Sequence, residues 1–163
     1  MIEMIKKTTL QTELVDIRRH LHRNPEVGME LPATKDFVWQ KLVEYGYEPQ
    51  SCGKMGVTCT IGQGERVFLL RGDMDALPLV EDTDLKFRSE NGAMHACGHD
   101  MHTTMLLGAA KLLKEHEKEL TGVVKLLFQP GEEILQGAKD CLDAGILENP
   151  KVDAGAMIHV FPF

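Results

Sequence analysis

The chain has 163 residues, 43% apolar and 26% charged, which suits one folded domain with a core of its own and excludes a disordered or fibrous chain. Its net charge of −7 excludes general attraction to phosphate backbones or anionic lipid, which would require a local basic patch. The expectation is therefore no nucleic-acid partner and no membrane partner.

Leu10, Leu14, Ile17 and Leu21 recur at helical spacing, predicting an amphipathic helix over residues 8–23 that Asn24-Pro25 ends. Arg18, Arg19 and Arg23 on it are interrupted by His20, Leu21 and His22 and read as a solvated face. A second helix is expected over residues 33–45, with Val38, Leu42 and Tyr45 on one side and Gly46 as its C-terminal stop. "GVTCTIG" (56–62) and "RVFLL" (66–70) read as a strand, a tight Gly-Gln-Gly-Glu turn and a strand. Asp100 is the expected cap of a helix over 101–118, whose broad apolar face carries Met105, Leu106, Ala109, Leu112 and Leu113. "VVKLLF" (123–128) reads as a buried strand, followed by a helix over 134–144 stopped by Gly145 and a strand over 153–160. This alternation predicts an α/β fold, a mixed and partly parallel sheet flanked by helices.

Residues Met1–Lys7 are too short and too charged for a secretory core, and no run approaches the roughly 18 apolar residues of a membrane span. The four cysteines (Cys52, Cys59, Cys97, Cys141) form no Cys-x-x-Cys pair and read as free thiols in a reducing, cytoplasmic compartment.

Four polar clusters fall where strands should end: "RGDMDALP" (71–78), "HACGHDMH" (95–102), "QPGEE" (129–133) and "HVFPF" (159–163). Singly, each has an ordinary explanation. Asp73 and Asp75 suit a turn before Pro78, Glu132 and Glu133 suit a helix first turn, and His159 suits a hydrogen-bonded core position. In a parallel sheet, however, functional groups gather at the carboxyl ends of the strands, and one rule brings all four clusters together. The side chains on offer are a thiol, imidazoles and carboxylates, a set matched to Zn²⁺, Ni²⁺, Co²⁺ or Mn²⁺. Cys97 and His99, two apart, would face one ion if the chain between them were extended, with Gly98 free to adopt an unusual backbone angle.

Together, "RRHLHRNPEVGMEL", "RGDMDALP", "MHACGHDMHT", "FQPGEE" followed by "GA", and "HVFP" resemble, in order and over nearly the whole chain, the amidohydrolase branch of the metallo-aminoacylase and carboxypeptidase family. That branch includes hippurate hydrolases, indole-acetyl-amino-acid hydrolases and N-acetyl-diaminopimelate deacetylases. The resemblance implies a metal-dependent hydrolase that cleaves the amide bond of N-acyl amino acids. It makes Cys97 a thiolate bridging two divalent ions, with His99 and His159 completing one ion's ligands and Glu133 binding the other. Glu132 would be the general base, and Asp75 would orient a ligand; Asp73 is not counted among the ligands. Family members are more than twice this length. On that pattern residues 1–163 correspond to the N-terminal portion of the catalytic domain, with the lid or dimerisation domain and the C-terminal portion, which brings a last histidine ligand, absent. Two divalent ions (Zn, Mn, Ni or Co) and a homodimer are implied for the full-length enzyme, and one ion for this chain. Two other readings follow from the same residues: a metal-binding remnant or interaction module without turnover, and a cysteine hydrolase with Cys97 as nucleophile.

Overall fold

The computed structural model describes residues 2–161, with side chains from residue 9 on; the side chains of Met1–Lys7 and the last two residues of "HVFPF" lie outside the described residues. The elements in chain order are α1 (Ile2–Arg23), α2 (Pro32–Glu44), β1 (Gln50–Cys52), β2 (Gly56–Gly62), β3 (Val67–Asp73), α3 (His99–Glu115), β4 (Val123–Gln129), α4 (Gly137–Asp143) and β5 (Ala154–Met157). α2 ends as its sequence predicts. Gly46 takes φ +85, its N–H bonds the Val43 carbonyl, and the Tyr47 N–H reaches back to Leu42, the paired bonds that close a helix at a left-handed glycine.

The strands form one five-stranded sheet in the order β1-β2-β4-β3-β5. β3 runs parallel to both β4 and β5, whereas β2 and β1 are antiparallel to their neighbours. The short Gly-Gln-Gly-Glu turn thus joins strands that β4 separates. α3 is the crossover between β3 and β4, the connection that parallel strands require.

Side-chain alternation gives the sheet two different faces. Val57, Cys59, Ile61, Leu126 and Phe128 pack with Ile17, Leu21, Val38, Leu42, Leu106, Leu107 and Ala110 of the three long helices, forming the main core. On the opposite face, Leu127 meets Cys52, Cys141 and Ile146 in a smaller cluster under α4. Lys125 is buried on that side too, and its ammonium donates to the carbonyls of Ile146, Glu148 and Pro150 at 2.8, 2.8 and 2.9 Å. A cation capped by three carbonyls fixes the loop after α4 against the central strand. No helix among the described residues is long and apolar enough to cross a membrane.

Candidate metal centre

Because β3, β4 and β5 are parallel, their carboxyl ends share one edge, and the four polar clusters meet there as expected. Asp73 closes β3 and pairs with Gln129 at the end of β4, and His159 stands two residues beyond β5. The Met74 N–H bonds the Gln129 carbonyl at 2.8 Å and carries the chain one step further, placing the fully buried Asp75 beneath the loop after β4. There the Asp75 carboxylate accepts the backbone N–H of Glu132 at 3.0 Å and of Glu133 at 3.1 Å. One buried acid thus sets the course of the Glu-Glu segment. Gly137 closes the same loop: a Cβ there would lie 1.5 Å from the Pro130 carbonyl oxygen, so only glycine fits.

His99 arrives from the other side. Its Nδ1 lies 2.8 Å from the Asp75 carbonyl oxygen, which only accepts, so Nδ1 carries a proton, and Nε2, without a hydrogen-bond partner, is left bare. That bare nitrogen lies 3.7 Å from Asp73 Oδ1, 3.8 Å from Glu132 Oε2 and 3.7 Å from Glu133 Oε1. His159 shows the same tautomer, its Nδ1 donating to the Val160 carbonyl at 2.7 Å and its Nε2 facing Cys97 Sγ at 3.4 Å. The ligand atoms of Cys97, His99 and His159 lie within 4.8 Å of one another, as do those of His99, Glu132 and Glu133. His99 is common to both groups.

Electrostatics favour a cation. Burial alone would lower the His99 pKa, but Asp75 and the charges of Asp73 and Glu133 outweigh it and hold the pKa above the ordinary value. Burial and then the carboxylates of Glu133, Glu132 and Asp73 push the Cys97 thiol up to about 11. A nucleophilic cysteine needs the reverse, so these surroundings oppose the cysteine-hydrolase reading. Among the proposed ligands, two buried atoms, His99 Nε2 and Glu133 Oε1, have no hydrogen-bond partner. Bare imidazole nitrogens, a thiol and converging carboxylates, with two of those atoms orphaned, fit a divalent metal.

The local backbone differs from expectation at two points. Cys97-Gly98-His99 is not extended: Gly98 has φ +84 and precedes α3, whose first residue is His99. The left-handed glycine, rather than strand alternation, turns the cysteine and the histidine towards one place. Asp100 does not cap α3 either. It lies in the first turn, and its Oδ2 receives Arg18 Nε and His22 Nδ1, each at 2.8 Å. Arg18 is therefore tied to the centre's own helix and is not part of a solvated face.

This second network was not visible in the sequence. The other ring nitrogen of His22 lies 3.0 Å from Glu81 Oε1, and Glu81 also accepts the Thr83 hydroxyl and the Ser89 N–H. A ring with a carboxylate on each nitrogen is an imidazolium. The bond to Asp100 raises the His22 pKa, and with Glu81 it overcomes burial and the nearby Arg18. A raised pKa in the folded state gives stability that is complete below the unfolded value, about 6.5, and is lost as pH rises through the folded value. His22→Gln is thus expected to cost most near pH about 5.5, with the gap to wild type shrinking towards pH about 9. Urea midpoints across that range test this; a gap constant with pH would show that His22 is neutral in the fold.

The arrangement defines the carboxyl edge of an α/β sheet carrying a cluster of thiol, imidazole and carboxylate groups that could hold a metal ion, as in metallohydrolases. Comparison with known proteins narrows the class. Residues 69–163 match the model of peptidase family M20/M25/M40. The chain is 47% identical over 151 residues to the Arabidopsis thaliana IAA-amino acid hydrolase ILR1-like 5, a match covering 91% of the chain and 35% of that protein. It is 44% identical over 158 residues to the hippurate hydrolase of Campylobacter jejuni, covering 94% of the chain and 41% of that protein. The crystal structure of Bacillus subtilis YXEP, described as a dinuclear metal binding peptidase from the M20 family, superposes with a TM-score of 0.90 at 39% identity, covering 95% of this chain and 44% of that one. The chain belongs to peptidase family M20/M25/M40. It spans between a third and a half of the length of these relatives.

Proposed function

We propose that the chain carries most of the metal ligands and the general base of an amidohydrolase that cleaves the amide bond of N-acyl amino acids. The observation that carries this reading is the bare, buried Nε2 of His99 facing Glu132 and Glu133, whose backbone Asp75 holds. Cys97, His99, His159 and Glu133 would contribute to holding two divalent ions of the zinc, manganese, nickel or cobalt type in the full-length enzyme, and one in this chain by itself. Bound there, such ions supply Lewis acidity and lower the pKa of water.

The two glutamates divide by exposure. Glu133 is 18% exposed and presents an orphaned buried oxygen, as a ligand should, whereas Glu132 is 36% exposed and open to a substrate. Glu132 would take the proton of the attacking water and return it to the departing amine. Asp75 keeps both carboxylates in register. The names of the two hydrolase relatives support an acyl amino acid as substrate. Four unpaired thiols support a reducing, cytoplasmic setting.

The test is an assay of the purified full-length enzyme on N-acetyl and N-benzoyl amino acids. Hydrolysis that a chelator abolishes and Mn²⁺ or Zn²⁺ restores is the expected result. Hydrolysis that survives the chelator but stops on thiol alkylation would replace this reading with a cysteine mechanism. Failure to bind either metal would remove it altogether.

A further inference from the structure

His159 is the proposed ligand with the weakest backbone support. β5 ends at Met157, and the neighbouring Ile158 and Phe161 are 68% and 73% exposed. The Nδ1 proton of His159 goes to the carbonyl of its own neighbour, Val160, and so does not anchor it to the body of the protein. The bond that does is made one residue further on, where the Val160 N–H donates to Nε2 of the buried His102 at 2.9 Å. Val160 also fills the space left by the missing side chain of Gly98, since a Cβ there would lie 2.4 Å from Val160 Cγ2.

His102 is held rigidly on its other side. Accepting at Nε2 leaves its proton on Nδ1, which donates to Asp73 Oδ1 at 2.6 Å. The second oxygen of Asp73 takes Arg71 at 2.6 Å, and Arg71 is tied in turn to Gln129 at 2.9 Å. The Thr103 hydroxyl secures the Asp73 carbonyl. Both ring nitrogens of His102 are thereby committed, although its position beside His99 and Asp73 would otherwise suit a ligand. Its ring lies 4.6 Å from that of His159, centroid to centroid.

We propose that His102 is a positioning residue: through the relay from Asp73 to His102 to the Val160 N–H, it holds His159 against Cys97 in the metal centre. The proposal rests on the metal-centre reading. It explains why the last of the three histidines in "HACGHDMH", not itself a ligand, belongs there.

Zinc affinity, measured by competition with a chromophoric chelator, and the visible spectrum of the Co²⁺-loaded protein test it together. His159→Ala sets the full loss of that ligand. His102→Asn retains a donor for Asp73 but has no acceptor for Val160, and should weaken zinc by roughly 10–100-fold, the range for partners that orient a ligand. His102→Gln places an amide oxygen where Nε2 stood but gives up the bond to Asp73, and should recover part of the zinc affinity that His102→Asn loses. Val160→Pro removes the N–H while leaving the bonds of His102 to Asp73 and of Asp73 to Arg71 in place, and should reproduce the loss even if His102→Asn folds poorly. If His102 acts through His159, His102→Asn combined with His159→Ala binds no more weakly than His159→Ala alone. Losses that multiply, or a Val160→Pro variant with unchanged affinity, would overturn the positioning role and leave the metal centre standing. If His159→Ala itself left affinity and the Co²⁺ spectrum unchanged, the metal-centre reading would fail first.

Discussion

In the full-length enzyme, Glu132→Gln is expected to lower hydrolysis by about 10²–10⁴-fold, the usual contribution of a general base, while metal content stays at the wild-type level. The substitution keeps the shape of the side chain and removes only its ability to accept a proton. Nothing that holds the backbone changes, because Asp75 bonds the Glu132 N–H and not its carboxylate. Glu133→Gln should behave differently. Its Oε1 is buried, unpartnered and 3.7 Å from His99 Nε2, so an amide there weakens the centre itself, and metal is lost along with activity. Metal analysis beside rate measurement separates the two. Metal loss from Glu132→Gln and retention by Glu133→Gln would exchange the two roles.

In the full-length enzyme, Cys97→Ser is expected to weaken binding of both ions, by more than the roughly 100-fold that marks the upper end for outer partners. In the metal-free protein the thiol is protonated, because burial and then Glu133, Glu132 and Asp73 push it to about 11. A bound cation reverses that balance, since a coordinated thiol gives up its proton and becomes a strong ligand. A serine hydroxyl in the same place keeps its proton and binds poorly. Cys97 is only half-buried and outside both apolar clusters, so the metal-free variant should unfold at nearly the wild-type denaturant concentration. Titration with Zn²⁺ that shows only one of two ions weakened would count against a bridging thiolate.

How much of this was legible in the sequence depends on the range of the interaction. β2 is observed as Gly56–Gly62, the span its β-branched run predicts, and the Gly46 stop and the buried β4 follow from equally local signals. The six expected site residues, Asp75, Cys97, His99, Glu132, Glu133 and His159, do gather at one edge, because the carboxyl-end rule needs only strand direction. What was not legible is what reaches across the chain. Arg18 meets Asp100 over 82 positions, His22 meets Asp100 over 78, and His22 meets Glu81 over 59. No periodicity encodes such pairs, and Glu81 sits in a loop where an acid looks ordinary. The last strand is shorter than its apolar run suggests, Ala154–Met157 where 153–160 was expected, and the remainder is held by single bonds such as that from Val160. Apolar content fixes neither a strand's partner nor its length.

The place of β4 between β2 and β3 has a consequence for the order in which the chain folds. Thr58 on β2 waits for Leu126, 68 positions later, to complete even one cross-strand contact through its hydroxyl. β2 and β3 are made early and lie close in sequence, yet although β2 can pair with β1 at once, its other edge and both edges of β3 stay open until α3 and β4 have emerged. Closing so long a loop exacts its entropy before any ladder forms, which places this topology among the slower folders. Until then both strands present open hydrogen-bonding edges to solvent and to other chains, the state in which a nascent polypeptide is most exposed to aggregation and most dependent on a chaperone.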